Sequence, residues 1–343
     1  IYKSYTEDSD NGVIQYKYYP TNGQYTFYGY HIDDAANANP SITATEKKVT
    51  GVTIDGTQDL LAAKTIDMAE NDATAADPES FYKDIATSLG SEWTELMKYQ
   101  FGARTARKGI VPVLKFEHQL ARLKFFVRAG SASAAGYEWQ TSQWVERKSS
   151  DAAAKPLGMQ VTKITLKDMA NVVDMDLTVP SSTRNGAGVA DFVVCSKDAA
   201  ANNKLDPTKG LIDPVVPKYP YEDANIPAQD PDTKGTQVGE PVMFFPIDDP
   251  DNGNITLSID LKQYVEDTKD EATGTITYKE VEKADNKLII DQSKISGATK
   301  KFMPGASYNV YITIYGLEKI EVTAVLTAWE NGGDIDADIE DGK

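Results

Sequence analysis

Residues 114–127 read LKFEHQLARLKFFV. Leu114, Phe116, His118 and Leu120 fall on one parity, while Leu123, Phe125 and Val127 fall on the other. Side chains alternate between the two faces of a strand with a period of two, so this alternation cannot change phase without an inserted residue. The stretch therefore predicts extended chain on both sides of a β-bulge or break within residues 119–122.

Short alternating or β-branched runs continue in both directions, separated by Gly, Pro, Asn and Asp. Upstream lie QYTFYGYHI (24–32) and VTGVTI (49–54). Downstream lie VTKITL (161–166), VVDMDLTV (172–179) and FVVC (192–195). The second half adds VMFFPI (242–247), ITLSIDL (255–261), TGTITYKEV (273–281), KLII (287–290), YNVYITIY (308–315) and IEVTAVLT (320–327). Many short strands punctuated by turn residues point to β-sandwich or barrel domains. Strand–helix–strand alternation is absent from this pattern, which excludes a doubly wound α/β fold. The best helical signal is residues 78–99, where Phe81, Ile85, Leu89, Trp93 and Leu96 recur at steps of three and four after Pro78. Gly90 interrupts it, so one helix or two short ones are both expected.

A chain of 343 residues suggests two domains. The small, polar stretch SSTRNGAG (181–188) lies near the midpoint, so the expected domains are 1–181 and 182–343. Residues 198–239 read as a long loop, and 129–160 as a second excursion carrying Tyr137, Trp139 and Trp144.

Composition excludes several function classes. The net charge of −17 opposes binding to nucleic acid or anionic membrane surfaces. One Cys and two His cannot build a cysteine-rich zinc site, an iron–sulfur cluster or a three-histidine centre, and one Cys allows no intrachain disulfide. No run is long enough and apolar enough to span a bilayer as a helix. The chain opens Ile-Tyr-Lys, without Met or a basic-then-apolar signal segment, as a processed or trimmed chain does.

Catalytic signatures are equally sparse. A Ser or Cys nucleophile needs a general base, and only His31 and His118 are available. There is no G-x-S-x-G elbow and no phosphate-binding glycine motif. Cys195, among apolar neighbours, reads as a small buried hydrophobe. His118 reads as a core histidine bonded to backbone at the bulge. No enzyme activity and no cofactor are expected. The acidic turn holding Asp249 and Asp251 resembles a fragment of a calcium loop, but it lacks the terminal Glu of an EF-hand and equally suits a hairpin turn.

Four segments are candidates for interaction. Residues 334–340 alternate, with Ile335, Ala337 and Ile339 on one parity and acids on the other, as in a strand that pairs at home or is lent to a neighbour. Ile14, Tyr16 and Tyr18 alternate in VIQYKYY and could form a removable N-terminal strand. Arg104 and Arg107 lie in a glycine-flanked polar segment, a candidate protease-sensitive loop. Tyr137, Trp139 and Trp144 could form a ligand platform for a glycan or could pack on the sandwich.

Taken in order, several of these segments resemble the fimbrillin family, the Mfa-like and FimA-like fimbrial subunit proteins of Bacteroidales. QDLLAA (58–63), followed after a loop by VLKFEHQLARLKF (113–125), is similar to the family's DLL-x-A … F-x-H-x-L-(A/S)-x-L-x-F stretch. YTFYGY (25–30) resembles its early aromatic strand. FPI (245–247) resembles the second-domain strand, and FMPGASY (302–308) with TAVLTAWENG (323–332) resembles its ending. The resemblance implies two tandem transthyretin-like β-sandwich domains, all-β apart from one or two short helices in the first. It implies export as a lipoprotein precursor and a place in an outer membrane-attached fimbrium at the cell surface. It further implies adhesion, assembly with other fimbrial subunits by β-strand donation after proteolytic trimming, and a structural role for His118. No Arg precedes Arg104, so the family's processing arginine either left with the leader or is not used. The alternative is a monomeric surface lipoprotein that binds a host glycan or host protein.

Overall fold

The fold is given by a computed structural model that describes residues 5–7, 14–16, 23–33, 40–69, 82–130, 134, 136–140, 143–150, 157–186, 188–196, 236–247, 253–292, 295, 301–317 and 320–327. The chain begins with the hairpin of β1 (Tyr5–Glu7) and β2 (Ile14–Tyr16), and continues through β3 (Tyr28–Ile32), β4 (Ser41–Thr43), β5 (Lys48–Thr53) and β6 (Leu60–Thr65). Three short helices follow: α1 (Lys83–Leu89), α2 (Ser91–Met97) and α3 (Ala103–Ala106). Strands resume with β7 (Leu114–His118), β8 (Ala121–Ala129), β9 (Tyr137–Gln140), β10 (Gln143–Glu146), β11 (Gln160–Ala170), β12 (Val172–Asp176), β13 (Ser181–Arg184) and β14 (Val189–Ser196). The last are β15 (Thr236–Phe244), β16 (Ile255–Lys269), β17 (Ile276–Ile290), β18 (Ser307–Ile314) and β19 (Ile320–Thr327). The protein is an all-β sandwich protein with a small helical insert.

The parity change is resolved by a change of sheet. β7 is the edge of a three-stranded sheet ordered β3-β6-β7, whereas β8 lies inside a four-stranded sheet ordered β15-β8-β18-β19. Gln119 and Leu120 make the crossing, with Gln119 N donating to Leu60 O at 2.8 Å and Gly305 N donating to Leu120 O at 2.9 Å. On β8, Ala121, Leu123, Phe125, Val127 and Ala129 are all 0% exposed. Burying each of the larger side chains stabilises the fold by roughly 1.5–3 kcal/mol. β8 pairs parallel with β18, from the far end of the chain, and antiparallel with β15. Phe116 departs from the alternation: it stands on the expected parity but is 45% exposed, on a strand that has a neighbour on one side only among the described residues.

A second crossing occurs at Asn171. β11 runs in a sheet ordered β14-β11-β16-β17, and β12, one residue later, runs in a sheet ordered β13-β12-β5-β4. The β14-β11-β16-β17 and β15-β8-β18-β19 sheets stack with β14 against β15 and β17 against β19. Their inner faces share one apolar core with Ile32, Leu60, Val52 and Val173 of the other two sheets. The boundary placed at 181/182 falls at the start of β13, which is paired to β12, and both stacked sheets contain strands from either side of it.

The helical insert behaves as its periodicity predicts. Gly90 separates α1 from α2 with φ of 53°, a conformation that costs glycine little. Trp93 and Leu96 pack with Tyr82, Phe101 and Ile110 in a second, smaller core. β16 and β17 form one long hairpin, so the runs at 273–281 and 287–290 become a single strand that starts at Ile276 rather than two. The turn-like Ala284-Asp285-Asn286 is absorbed as a bulge, with Asp285 at φ of 55° and the register shifting opposite it between Ile259 and Leu261.

Candidate functional site

The two histidines come together on the β3-β6-β7 sheet. The register aligns His31, Leu61 and His118 in one cross-strand row, and Gly29, Ala63 and Phe116 in the next row on the same face. Each histidine meets a carboxylate: His31 Nε2 lies 2.8 Å from Asp33 Oδ1, and His118 Nδ1 lies 2.6 Å from Asp59 Oδ2. Asp59 N donates to Asp33 Oδ2 at 3.2 Å, which joins the two pairs. The His31–Asp33 pair faces solvent, with side-chain exposures of 59% and 49%; the Asp59–His118 pair is half-buried. His118 Nδ1 thus has a carboxylate partner that the sequence did not suggest: parity turns the imidazole onto the face where Asp59, just before β6, also stands. Asp33 and Asp59 carried no role in the sequence reading. The signal was present in the two-residue spacing of His31 and Asp33, which places both on one strand face.

Beside His118, a groove of about 400 Å³ opens at the crossing from β7 to β8, lined by Glu117, Ser181, Ser182, Pro304 and Gly305. It has the size of a small ligand site but no cationic side chain in its lining. A second cavity, about 500 Å³, lies between Lys167, Asp168, Arg184, Phe244 and Phe245. There Lys167 pairs with Asp191, whose carboxylate hydrogen bond raises the lysine above its ordinary pKa.

Edges form the other feature. On one flank of the stacked sheets, β15 carries a bulge between Val238 and Val242, with Gly239 at φ of 68° and Pro241 within it. Pro is tolerated at an edge or bulge because it has no N–H for the ladder. Gly239 presses so close to the Val194 carbonyl of β14 that a Cβ there would collide with it. That flank is closed by backbone contact. On the other flank, β17 and β19 also come into contact, and all four strands are the last of their sheets among the described residues.

The remaining sequence candidates are placed as follows. Arg104 and Arg107 are exposed, but the expected loop is a helical turn: Arg104 lies in α3, with its guanidinium 4.9 Å from the Tyr99 ring centroid, and Arg107 caps α3. The segment holding Tyr137, Trp139 and Trp144 is a hairpin rather than a loop, and its register sets Trp139 opposite Trp144 and Tyr137 opposite Glu146. Ile14 and Tyr16 lie in β2, whose hydrogen-bond partner is β1; Tyr18 lies outside the described residues. Asp249, Asp251, Ile335, Ala337 and Ile339 also lie outside them. Cys195 is buried, and burial pushes its thiol up to about 12, as an inert core residue requires. Among the described residues, no group of three or more His, Cys, Asp or Glu side chains is placed to hold a metal ion, and no helix is long and apolar enough to cross a membrane.

No family model and no curated protein matches the chain. Solved structures do resemble it. One is a "putative cell adhesion protein" from Bacteroides uniformis, with 12% identity, a TM-score of 0.39, and 95% of this chain and 84% of that one covered. Another of the same description, from Bacteroides fragilis, has 12% identity and a TM-score of 0.32, covering 94% and 69%. A third, from Parabacteroides distasonis, has 9% identity and a TM-score of 0.32, covering 95% of each chain. At such identities and scores the likeness carries no residue correspondence, and the adhesion named there belongs to those proteins.

Proposed function

We propose that this chain is a structural or tip/accessory subunit of a fimbrium at the bacterial cell surface, joined to its neighbours by donated β-strands and serving adhesion. The observation that carries this reading is that the stacked sheets end in edge strands: β17 and β19 each present an outer edge that is unpaired among the described residues. An edge strand offers a row of backbone donors and acceptors to an incoming strand. The motif series from residue 25 to 332 and the alternating Ile335, Ala337 and Ile339 supply the matching expectation of a donor. In this reading the precursor is an exported lipoprotein, trimmed by proteolysis before assembly.

The test is limited trypsin digestion of the precursor, followed by gels run without boiling and negative-stain microscopy. An early cut followed by heat-sensitive ladders or fibres is the expected result. Ile335→Asp with Ile339→Asp is expected to suppress the ladders if the tail is the donor. A chain that is cut and stays monomeric would overturn strand-donated assembly.

A further inference from the structure

We propose that the outward face of the β3-β6-β7 sheet is a carbohydrate-binding platform: the Phe116 ring stacks under a neutral pyranose, and the His31–Asp33 and Asp59–His118 pairs take its hydroxyls. The proposal does not depend on strand exchange, because a filament subunit and a solitary chain would present this face alike.

The ring lies against the sheet. A Cβ added at Gly29 would stand 2.9 Å from Phe116 Cζ and 3.2 Å from Cε1, so the ring reaches across the central strand to β3. Ala63, between them in the same row, is 0% exposed, yet Phe116 itself is 45% exposed. The ring thus covers part of that row and still meets solvent. The negative face of an aromatic ring attracts the weakly positive C–H groups that a pyranose presents from one side.

Polar groups stand where the sugar's hydroxyls would fall. The His31–Leu61–His118 row is two residues along from the Phe116 row, about 6.6 Å at the usual strand rise. Asp33 and Asp59 lie beyond it, joined by the Asp33 N to Asp59 O hydrogen bond of 3.1 Å. Carboxylates accept hydroxyl donors as charge-assisted hydrogen bonds, and an imidazole can donate or accept.

Size and charge select the occupant. A stable protein interface needs about 800 Å² from each partner, and one partly exposed ring is far smaller. The two carboxylates, in a chain of net charge −17, repel an acidic sugar or a phosphate, which leaves a neutral one.

The experiment is saturation-transfer NMR on the full chain with methyl β-D-galactopyranoside, methyl α-D-mannopyranoside and N-acetylglucosamine as probes. At least one sugar is expected to receive saturation, strongest on the C–H protons of one ring face. Phe116→Ala should lower that sugar's affinity about tenfold, and Phe116→Trp should retain it. Gly29→Ala, which lifts the ring off the sheet, should weaken it as well, and Asp33→Asn should weaken it less. Near-UV circular dichroism checks that each variant is folded; should Phe116→Ala fail that check, Gly29→Ala and Phe116→Trp still decide. The proposal is overturned by no transfer to any of the three sugars, by transfer that survives Phe116→Ala and Gly29→Ala, or by transfer lost on Trp139→Ala alone. It is equally overturned if the chain dimerises through Phe116 and sugar does not compete, since the occupant would then be a second copy.

Discussion

β7 and β8 come from one stretch of sixteen residues and end in opposite environments. β8 has strands on both sides and an inner face on which every second residue is fully buried. β7 has one neighbour among the described residues and half-exposed or exposed side chains throughout. Both alternate in sequence, and both carry Phe at an apolar-parity position. Alternation fixes which residues share a face, but the number of neighbouring strands and layers decides whether that face is dry. The wet strand holds His118, the partner of Asp59, and the open aromatic ring; the dry one joins two strands from the second half of the chain.

This contrast breaks most sharply at the two phenylalanines. Phe125→Ala is expected to destabilise the protein by about 3–5 kcal/mol, because it empties a fully buried site that can collapse only partly. Urea denaturation of that variant beside Phe116→Ala checks the pair, and equal losses would remove the distinction between the strands. Gly239→Ala tests the sealed flank. Its positive φ and the Val194 carbonyl together predict a loss of about 2–3 kcal/mol, read as a fall in Tm.

Cys195, on the dry side, gives a pH signature. Its thiol is at about 12 in the folded chain against 9.0 as reference. The unfolded chain therefore holds fewer protons than the folded one between these values. This contribution to stability is complete below pH 9 and is lost between about pH 9 and 12, approaching 1.4 kcal/mol per pH unit. Comparing wild type with Cys195→Ala across that window isolates the effect, and a thiol reagent should label Cys195 only after unfolding.

On the wet side the effects are smaller. Asp59→Ala removes the His118 contact and the 2.8 Å hydrogen bond from Leu60 N, at an expected cost of about 1–2 kcal/mol by chemical denaturation. Phe116→Ala should cost under about 1 kcal/mol, since the residue is 45% exposed. A larger loss there would make Phe116 a core residue and not a platform.

Much of the strand content was legible from local pattern: the runs at 49–54, 161–166, 308–315 and 320–327 became β5, β11, β18 and β19 with small shifts at the ends. The Gly90 break was legible too, because a helix interior penalises glycine wherever the helix packs. The long β16–β17 ribbon was not, since Asp285 and Asn286 look the same in a bulge as in a turn. The aromatic run 24–32 begins its strand only at Tyr28, where pairing with β6 starts. Of the site, His31 and His118 stood out as the sole histidines, but their carboxylates were given no role, although Asp33 stands two residues from His31 and Asp59 shares the DLL-x-A … F-x-H series with His118.

The sequence by itself determined an acidic, metal-poor, β-rich chain with a forced break at residues 119–122, because composition and side-chain parity are local properties. Only the tertiary structure decided that the break is a change of sheet, that β8 takes β18 as a parallel partner, and that Asp59 reaches His118. Those facts rest on pairings between residues up to about 185 positions apart. Backbone hydrogen bonds form with any strand of matching register, so no local pattern names the partner.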